Sequence, residues 1–343
     1  MFDFLTETLA GDEIKERSGE TLNIAWSRPE AGIIVLQPTS GYRQNIIISA
    51  AIHGNETAPI EIINRLISDI LANKYTLKVR VMVILGNLEA MRQSERYINV
   101  DLNRLFSDHY LQYSHCNETI RAAKLQQVVA DFYAVDPDKP RSHFDLHTAI
   151  RASHHIAFGL LPYLDSGRYQ SKMMNWLQSV GLEALVVNHA PAATFSYFTS
   201  HQFAANSCTL ELGKANPFGH NDLQQFVGIE QGLIKLISEE VVDVSNSVEL
   251  TVYNVADVII KLSDQFKLNV ADDAANFSEF PNGYIIASDC VNNDDDIEKN
   301  KNVIYQVQQE NGYILFPNRN VKKGLRAGLL LAKGDLSAIS GAS

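Results

Sequence analysis

The segment Asn45–Ala51, NIIISAA, constrains the fold more than any other part of the chain. It is an apolar run rich in β-branched residues, so it is predicted to be a buried strand, and it ends at His53-Gly54-Asn55-Glu56. Beyond it, Ile60, Ile63, Leu66, Ile67, Ile70 and Leu71 recur at three- and four-residue steps, which predicts an amphipathic helix from Thr57. Pro59 falls in its first turn, where a missing N–H costs nothing. Val79–Leu85, VRVMVIL, is a second short apolar run. Strand, helix and strand make a βαβ unit with its sheet covered on both faces, and the first 85 residues read as α/β.

That unit places His53 and Glu56 on the loop leaving the carboxyl end of a strand, where open α/β sheets hold their ligands. A histidine and a carboxylate three residues apart, with Gly54 allowing a sharp turn between them, can converge on one metal ion. The same pair also reads as a loop histidine beside a helix-capping carboxylate, so the spacing alone leaves both open.

Composition narrows the classes. The 343 residues are 45% hydrophobic and 20% charged, enough for a sizeable core in one large domain or two. A net charge of −11 argues against a nucleic-acid partner, because no excess of Lys and Arg exists to displace counterions. A small anionic substrate needs only a local cluster of cations. Cys116, Cys208 and Cys290 are scattered, with no CxxC pair, so neither a disulfide framework nor a zinc ribbon is expected. The N-terminal stretch carries acids where a signal peptide carries basic residues, and no apolar run has membrane-spanning length. A cytoplasmic location is expected, any metal would rest on His and carboxylate, and homo-oligomerisation is compatible with the sequence.

Along the chain, TLNIAW and GIIVLQ read as two strands around a Pro-Glu-Ala-Gly turn. Gly86–Phe106 loses periodicity and is rich in charge, a long irregular stretch of the kind that carries function. Asn117–Val135 reads as a helix with Ile120, Ala123, Leu125, Val128, Val129 and Phe132 inward. His143–His147 alternates, with Phe144 and Leu146 on one face and His143, Asp145 and His147 on the other. Residues 156–161 and 183–187 suggest strands around a helix from Gly167 to Val180. Ser207–Leu212 alternates again, with Thr209 and Glu211 on one face, and Phe226–Val242 reads as a helix. From about Ser245 short alternating runs recur with no obvious helix, the pattern of a small antiparallel β domain. The acidic run Asn292–Lys301 reads as a solvated loop. The expected division is residues 1–244 and 245–343.

Candidate chemistry lies at predicted strand ends. His53, Glu56 and His147 make a two-histidine, one-carboxylate set, as in many hydrolytic zinc sites, and Asp145 could orient a ligand imidazole. Taken singly, His147 reads first as a strand histidine on a solvated face. Glu211 could serve as a general base if burial holds its pKa up, or it could be exposed or paired with Lys214. Arg92, Arg96 and Arg104, with Asn103, could hold an oxyanion or a substrate carboxylate, or be surface charges.

HGNE after a strand, RYINVDLNR some forty residues on, DLH beyond that and a late ELG together resemble the zinc carboxypeptidase superfamily, in its aspartoacylase and succinylglutamate desuccinylase branch. DLHTAIR and TLELGKANPFGHND are similar to the desuccinylase side of that branch. The resemblance spans essentially the whole chain and implies a mixed central sheet flanked by helices, with a smaller C-terminal β domain. It implies one Zn2+ on His53, Glu56 and His147, Glu211 as general base and acid, and Arg96 polarising the scissile carbonyl. Asn103 and Arg104 would hold the α-carboxylate of the amino-acid half. For the succinyl carboxylate no motif gives a sure partner, and Arg151 is the candidate. The implied reaction is hydrolysis of N2-succinyl-L-glutamate to succinate and L-glutamate, in arginine breakdown. The alternatives are the same chemistry on another N-acyl amino acid or a peptide C-terminus, or a zinc-binding protein without turnover. The His154-His155 pair has a metal site's composition but reads as a loop near the mouth.

Overall fold

A computed structural model of the chain describes residues 3–11, 13–149, 151–214, 216–245, 247–291 and 301–341. Among these, thirteen strands form one mixed sheet. Its order is Ser18–Glu20, Ile24–Ser27, Ile33–Pro38, Arg80–Leu85, Asn45–Ala50, Arg141–Ala149, Asn206–Lys214, Phe158–Leu161, Ala184–Val187, Thr251–Ile260, Arg326–Lys333, Asn311–Leu315 and Ser278–Pro281. Asn45–Ala50 runs parallel to both Arg80–Leu85 and Arg141–Ala149, and Asn206–Lys214 runs parallel to Arg141–Ala149. The predicted βαβ unit is therefore present, with the helix Thr57–Leu71 between its strands.

Alternation along the central strands divides two cores. Ile46, Ile48, Val81 and Val83 pack with Ile60, Ile63, Ile67 and Ile70 of the Thr57–Leu71 helix. Ile47, Met82 and Ile84 pack on the other face with Leu125, Val129 and Phe132 of the helix Asn117–Ala134. Covering both faces is what a parallel sheet of continuous apolar strands requires. On that second helix Ile120 is exposed, and Ala122 is buried where Ala123 was expected.

Three expectations are corrected. Gly86–Phe106 contains a short helix, Leu88–Gln93, and a 3-10 turn, Leu102–Arg104. The helix Phe195–Phe203 was not foreseen, because its apolar residues are aromatics mixed with Ser and Thr and show no clean stripe. The helix predicted from Phe226 runs only over Val227–Ile237. The C-terminal segment is β-rich with a separate small antiparallel sheet (Lys267–Leu268, Ile285–Val291, Lys301–Gln306), as expected, while Thr251–Ile260 joins the main sheet through a parallel pairing with Ala184–Val187. Leu250, Val252 and Ile339 belong to the same core as the Thr57–Leu71 helix. The acidic run lies almost wholly outside the described residues. Among the described residues, no helix is long and apolar enough to cross a membrane.

Candidate metal centre and active site

The turn out of the Asn45–Ala50 strand fixes His53 and Glu56. Ala51 takes a left-handed conformation, φ 57°, and its carbonyl accepts the N–H of Asn87. Gly54 was expected to supply the sharp turn, but its φ is not positive. Its role is close approach, since a methyl there would lie 2.2 Å from the main chain of Ala90 and Met91. The Gly54 N–H is held by the carbonyl of Arg96, which brings the irregular stretch against the loop.

Glu56 is the N-cap residue of the Thr57–Leu71 helix, yet its side chain makes no capping hydrogen bond. Oε1 lies 2.8 Å from Nδ1 of His53, and Oε2 lies 2.9 Å from Nδ1 of His147. All three residues are buried, and their donor atoms lie within 4.8 Å of one another. The far nitrogen of each ring meets a carboxylate: His53 Nε2 is 3.0 Å from Asp101 Oδ1, and His147 Nε2 is 3.0 Å from Asp145 Oδ2. With the protons on Nε2, both Nδ1 lone pairs and the Glu56 carboxylate face one point. Two imidazoles and a carboxylate oxygen suit a zinc-like divalent ion, and the two outer carboxylates fix the tautomers.

Burial would raise the pKa of Glu56, but His53 and His147 outweigh it and hold the group ionised. For His147 burial favours the neutral ring, and Asp145 and Glu56 together raise its pKa well above the usual value. Behind this pair Ser49 donates to Asp145 Oδ1 at 2.6 Å and sits 2.7 Å from His143 Nε2, while His143 Nδ1 contacts Thr199 Oγ1 at 2.8 Å. Burial pushes His143 down to about 4, so it is a neutral bridge between strand and helix.

Glu211 lies beside His147 in the register of the two parallel strands. It is 8% exposed, and among the described residues its carboxylate has no hydrogen-bond or ion-pair partner, so neither the exposed reading nor the Lys214 pairing is realised. Burial pushes its pKa up to about 7, with the charge of His147 the main opposing influence. A carboxylate poised near neutrality beside a metal-ligand cluster can accept and return a proton.

Arg96 Nη1 donates to Glu56 Oε1 at 3.0 Å, and its side chain is about one-third exposed. Asn103 Oδ1 accepts the backbone N–H of Phe195, so the unforeseen helix Phe195–Phe203 anchors the turn that carries Asn103 and Arg104. Phe106 stacks on Phe195 at 4.3 Å and tightens the same junction. Arg104 Nη1 donates to the Asn103 carbonyl, and Nη2 lies 3.9 Å from Asp101. Arg92 is turned away toward the carbonyl of Thr8.

A family model described as the succinylglutamate desuccinylase/aspartoacylase catalytic domain matches residues 42–237. The chain belongs to the succinylglutamate desuccinylase/aspartoacylase family. A second model, described as the AstE/AspA barrel-sandwich hybrid domain, matches residues 248–334. The chain is 44% identical over 339 residues to a succinylglutamate desuccinylase of Serratia proteamaculans, covering 99% of this chain and 100% of the relative. It is 43% identical to one of Yersinia pestis over 97% of each chain. Among solved structures it is similar to the succinylglutamate desuccinylase of Chromobacterium violaceum, with TM-score 0.82, 34% identity and 97% and 98% of the two chains covered. For that of Vibrio parahaemolyticus the TM-score is 0.85 at 29% identity, with 97% and 95% covered.

In this member of the desuccinylase/aspartoacylase family the Arg151 guanidinium is engaged by main-chain carbonyls. Its Nη1 donates to the carbonyls of Asp272 and Ala274, and it lines a cleft of about 150 Å3 with Asp272, Arg319 and Asn320 that includes none of the cluster residues. A guanidinium so engaged clamps the turn before the Ser278–Pro281 strand to the loop after His147. His155 is likewise structural, 3.0 Å from Tyr253 Oη and packed on Phe277.

Two side chains at the site escaped the sequence. Asp101 sat inside a quoted motif, but only the fold reveals that it meets His53. Glu118 accepts from the backbone N–H groups of Ile98 and Asn99 and so shapes the loop carrying Arg96.

Proposed function

We propose that the chain is a zinc-dependent amidohydrolase that cleaves N2-succinyl-L-glutamate to succinate and L-glutamate. The observation that carries this reading is the convergence of His53 Nδ1, His147 Nδ1 and the Glu56 carboxylate beside Glu211, a buried carboxylate without a partner among the described residues. The relatives at 44% and 43% identity, which bear the name of that activity, support the choice of substrate.

His53, Glu56 and His147 would hold the ion, and Asp101 and Asp145 would keep each imidazole in the ligating tautomer. Zinc, when bound, supplies Lewis acidity that polarises the acyl carbonyl and acidifies water at neutral pH. Glu211 takes the proton of the attacking water and returns it to the departing nitrogen as the C–N bond breaks, a role its raised pKa suits. Arg96, fixed by one donor on Glu56, keeps its remaining donors for the oxygen on which negative charge develops. Asn103 and Arg104 hold the α-carboxylate of the amino-acid half, the guanidinium fork matching a carboxylate better than an ammonium could.

The test is metal analysis together with hydrolysis of N2-succinyl-L-glutamate, N-acetyl-L-aspartate and a short peptide. About one zinc per chain, fastest turnover on the succinyl substrate, loss with chelator and recovery with zinc are expected. Faster turnover of N-acetyl-L-aspartate or of the peptide, or turnover indifferent to chelator, rejects the reading.

A further inference from the structure

Behind the metal ligands a column of four polar side chains runs through the core. Ser49 of the Asn45–Ala50 strand, His143 of Arg141–Ala149, Thr199 of the Phe195–Phe203 helix and Ser207 of Asn206–Lys214 are each 2% exposed or less. Burying such groups is costly unless their donors and acceptors are matched, and here they are matched to one another. Ser207 Oγ lies 3.0 Å from Thr199 Oγ1, which lies 2.8 Å from His143 Nδ1. His143 Nε2 is 2.7 Å from Ser49 Oγ, and Ser49 Oγ is 2.6 Å from Asp145 Oδ1. The other oxygen of Asp145 meets Nε2 of the ligand His147. Phe195 meets the His143 ring edge to face, with centroids 4.6 Å apart and planes at 73°, and so holds the ring in its plane.

Counting protons sets the direction of the chain. The Asp145 carboxylate only accepts, so the single proton of Ser49 goes to Oδ1, and His143 Nε2 must donate to Ser49. The imidazole is neutral, because burial pushes its pKa down to about 4, and its bare Nδ1 accepts the Thr199 hydroxyl. Thr199 in turn accepts from Ser207. Every link therefore points toward Asp145, whose two oxygens are taken by buried donors, one of them on the metal ligand. Moving the His143 proton to Nδ1 would set two lone pairs face to face at Ser49, so the column admits one arrangement.

Resting on the metal-centre reading above, we propose that His143 and Ser49 are positioning residues for the metal ligand His147. Through Asp145 they hold its imidazole with the proton on Nε2 and the Nδ1 lone pair toward the ion. Thr199 anchors the column on the helix Phe195–Phe203, and the first N–H of that helix holds Asn103. One helix thus braces both the ligand imidazole and the turn that carries Asn103 and Arg104.

The test measures the zinc affinity of the folded full-length protein, by competition with a chromophoric chelator, and the visible absorption of its cobalt(II) form. Ser49→Ala removes the donor to Asp145, and His143→Leu removes the donor to Ser49. Each should lower zinc affinity roughly 10-fold and shift the cobalt bands, which report ligand geometry. His143→Gln, whose amide N–H can reach Ser49, should recover most of the affinity. Ser196→Ala is the packing control, since its hydroxyl is buried in the same strand–helix junction, 2.8 Å from Thr209 Oγ1, but lies outside the column. It should keep the wild-type affinity and spectrum. In an Asp145→Ala background, Ser49→Ala should change affinity by less than about twofold, because the route to His147 is already broken. If His143→Leu does not fold, Ser49→Ala carries the test alone. An unchanged affinity and spectrum in Ser49→Ala, an equal loss in Ser196→Ala, or full additivity with Asp145→Ala overturns the proposal. A wild-type protein that binds no zinc rejects the metal-centre reading and this one with it, whereas tight binding by both wild type and Ser49→Ala rejects the positioning role alone.

Discussion

His53 and Asp101 lie 48 residues apart in sequence and meet at 3.0 Å between Nε2 and Oδ1. The contact turns the ring so that Nδ1 faces Glu56, and a carboxylate on the far nitrogen also makes the imidazole a stronger donor. Removing it should weaken metal binding without removing a ligand. Asp101→Ala is expected to lower zinc affinity roughly 10- to 100-fold, measured by competition with a chromophoric chelator. Unchanged affinity would show that the contact does not tune the site.

Glu211 gives a cleaner separation between binding and chemistry. Glu211→Gln keeps the shape and leaves the three ligands intact, but an amide cannot take the proton from water. The variant should retain its zinc and lose turnover by about 100-fold or more. Activity within a few-fold of wild type would remove Glu211 from the reaction.

Arg104→Lys should act on binding instead. Its planar fork is suited to a carboxylate, and lysine offers a point charge in its place. KM should rise by about tenfold with kcat little changed, read from initial rates. An unmoved KM would reject the α-carboxylate role.

Glu118 links stability to pH. Burial would raise its pKa, but the N–H groups of Ile98 and Asn99 outweigh burial and lower it below the ordinary value of 4.5. The ionised form is the stabilising one, so its contribution is complete above the unfolded value and fades as pH falls through the lower folded value. Glu118→Gln should therefore cost about 1–3 kcal/mol near pH 7, and the gap to wild type should close as pH falls through that lowered folded value. Denaturant titrations at several pH values measure it. A gap that persisted in acid would deny the charge its role.

Much of this was legible because period and order are local signals. The strand before His53, the helix from Thr57 and the face shared by His143, Asp145 and His147 follow from spacing alone, and all three occur. What escaped is what only tertiary packing decides. Asp101 meets His53 through a loop with no period, and the helix Phe195–Phe203 lacks an apolar stripe because the sheet and Phe106 cover its aromatics. Arg151 stands near His147 in sequence, but Nη1 is engaged by the carbonyls of Asp272 and Ala274 in the turn before the Ser278–Pro281 strand.

The division at residue 244 can be tested directly, because the sheet runs across it. Thr251–Ile260 pairs with Ala184–Val187, and Phe158, Ala184 and Val186 share a core with Tyr253, Tyr313, Leu329 and Leu331. A chain stopped at residue 244 would open a sheet edge and strip those side chains, as well as Leu250, Val252 and Ile339, from their neighbours. Each large apolar side chain is worth about 1.5–3 kcal/mol when buried, against a net stability of roughly 5–15 kcal/mol for a whole domain. Losing several at once exceeds that margin, so the truncated chain is expected to aggregate or to lack a cooperative melt. Size-exclusion chromatography and calorimetry would show it. A monodisperse fragment with a sharp transition would mean that residues 1–244 form a domain in their own right and that the shared sheet is only an interface.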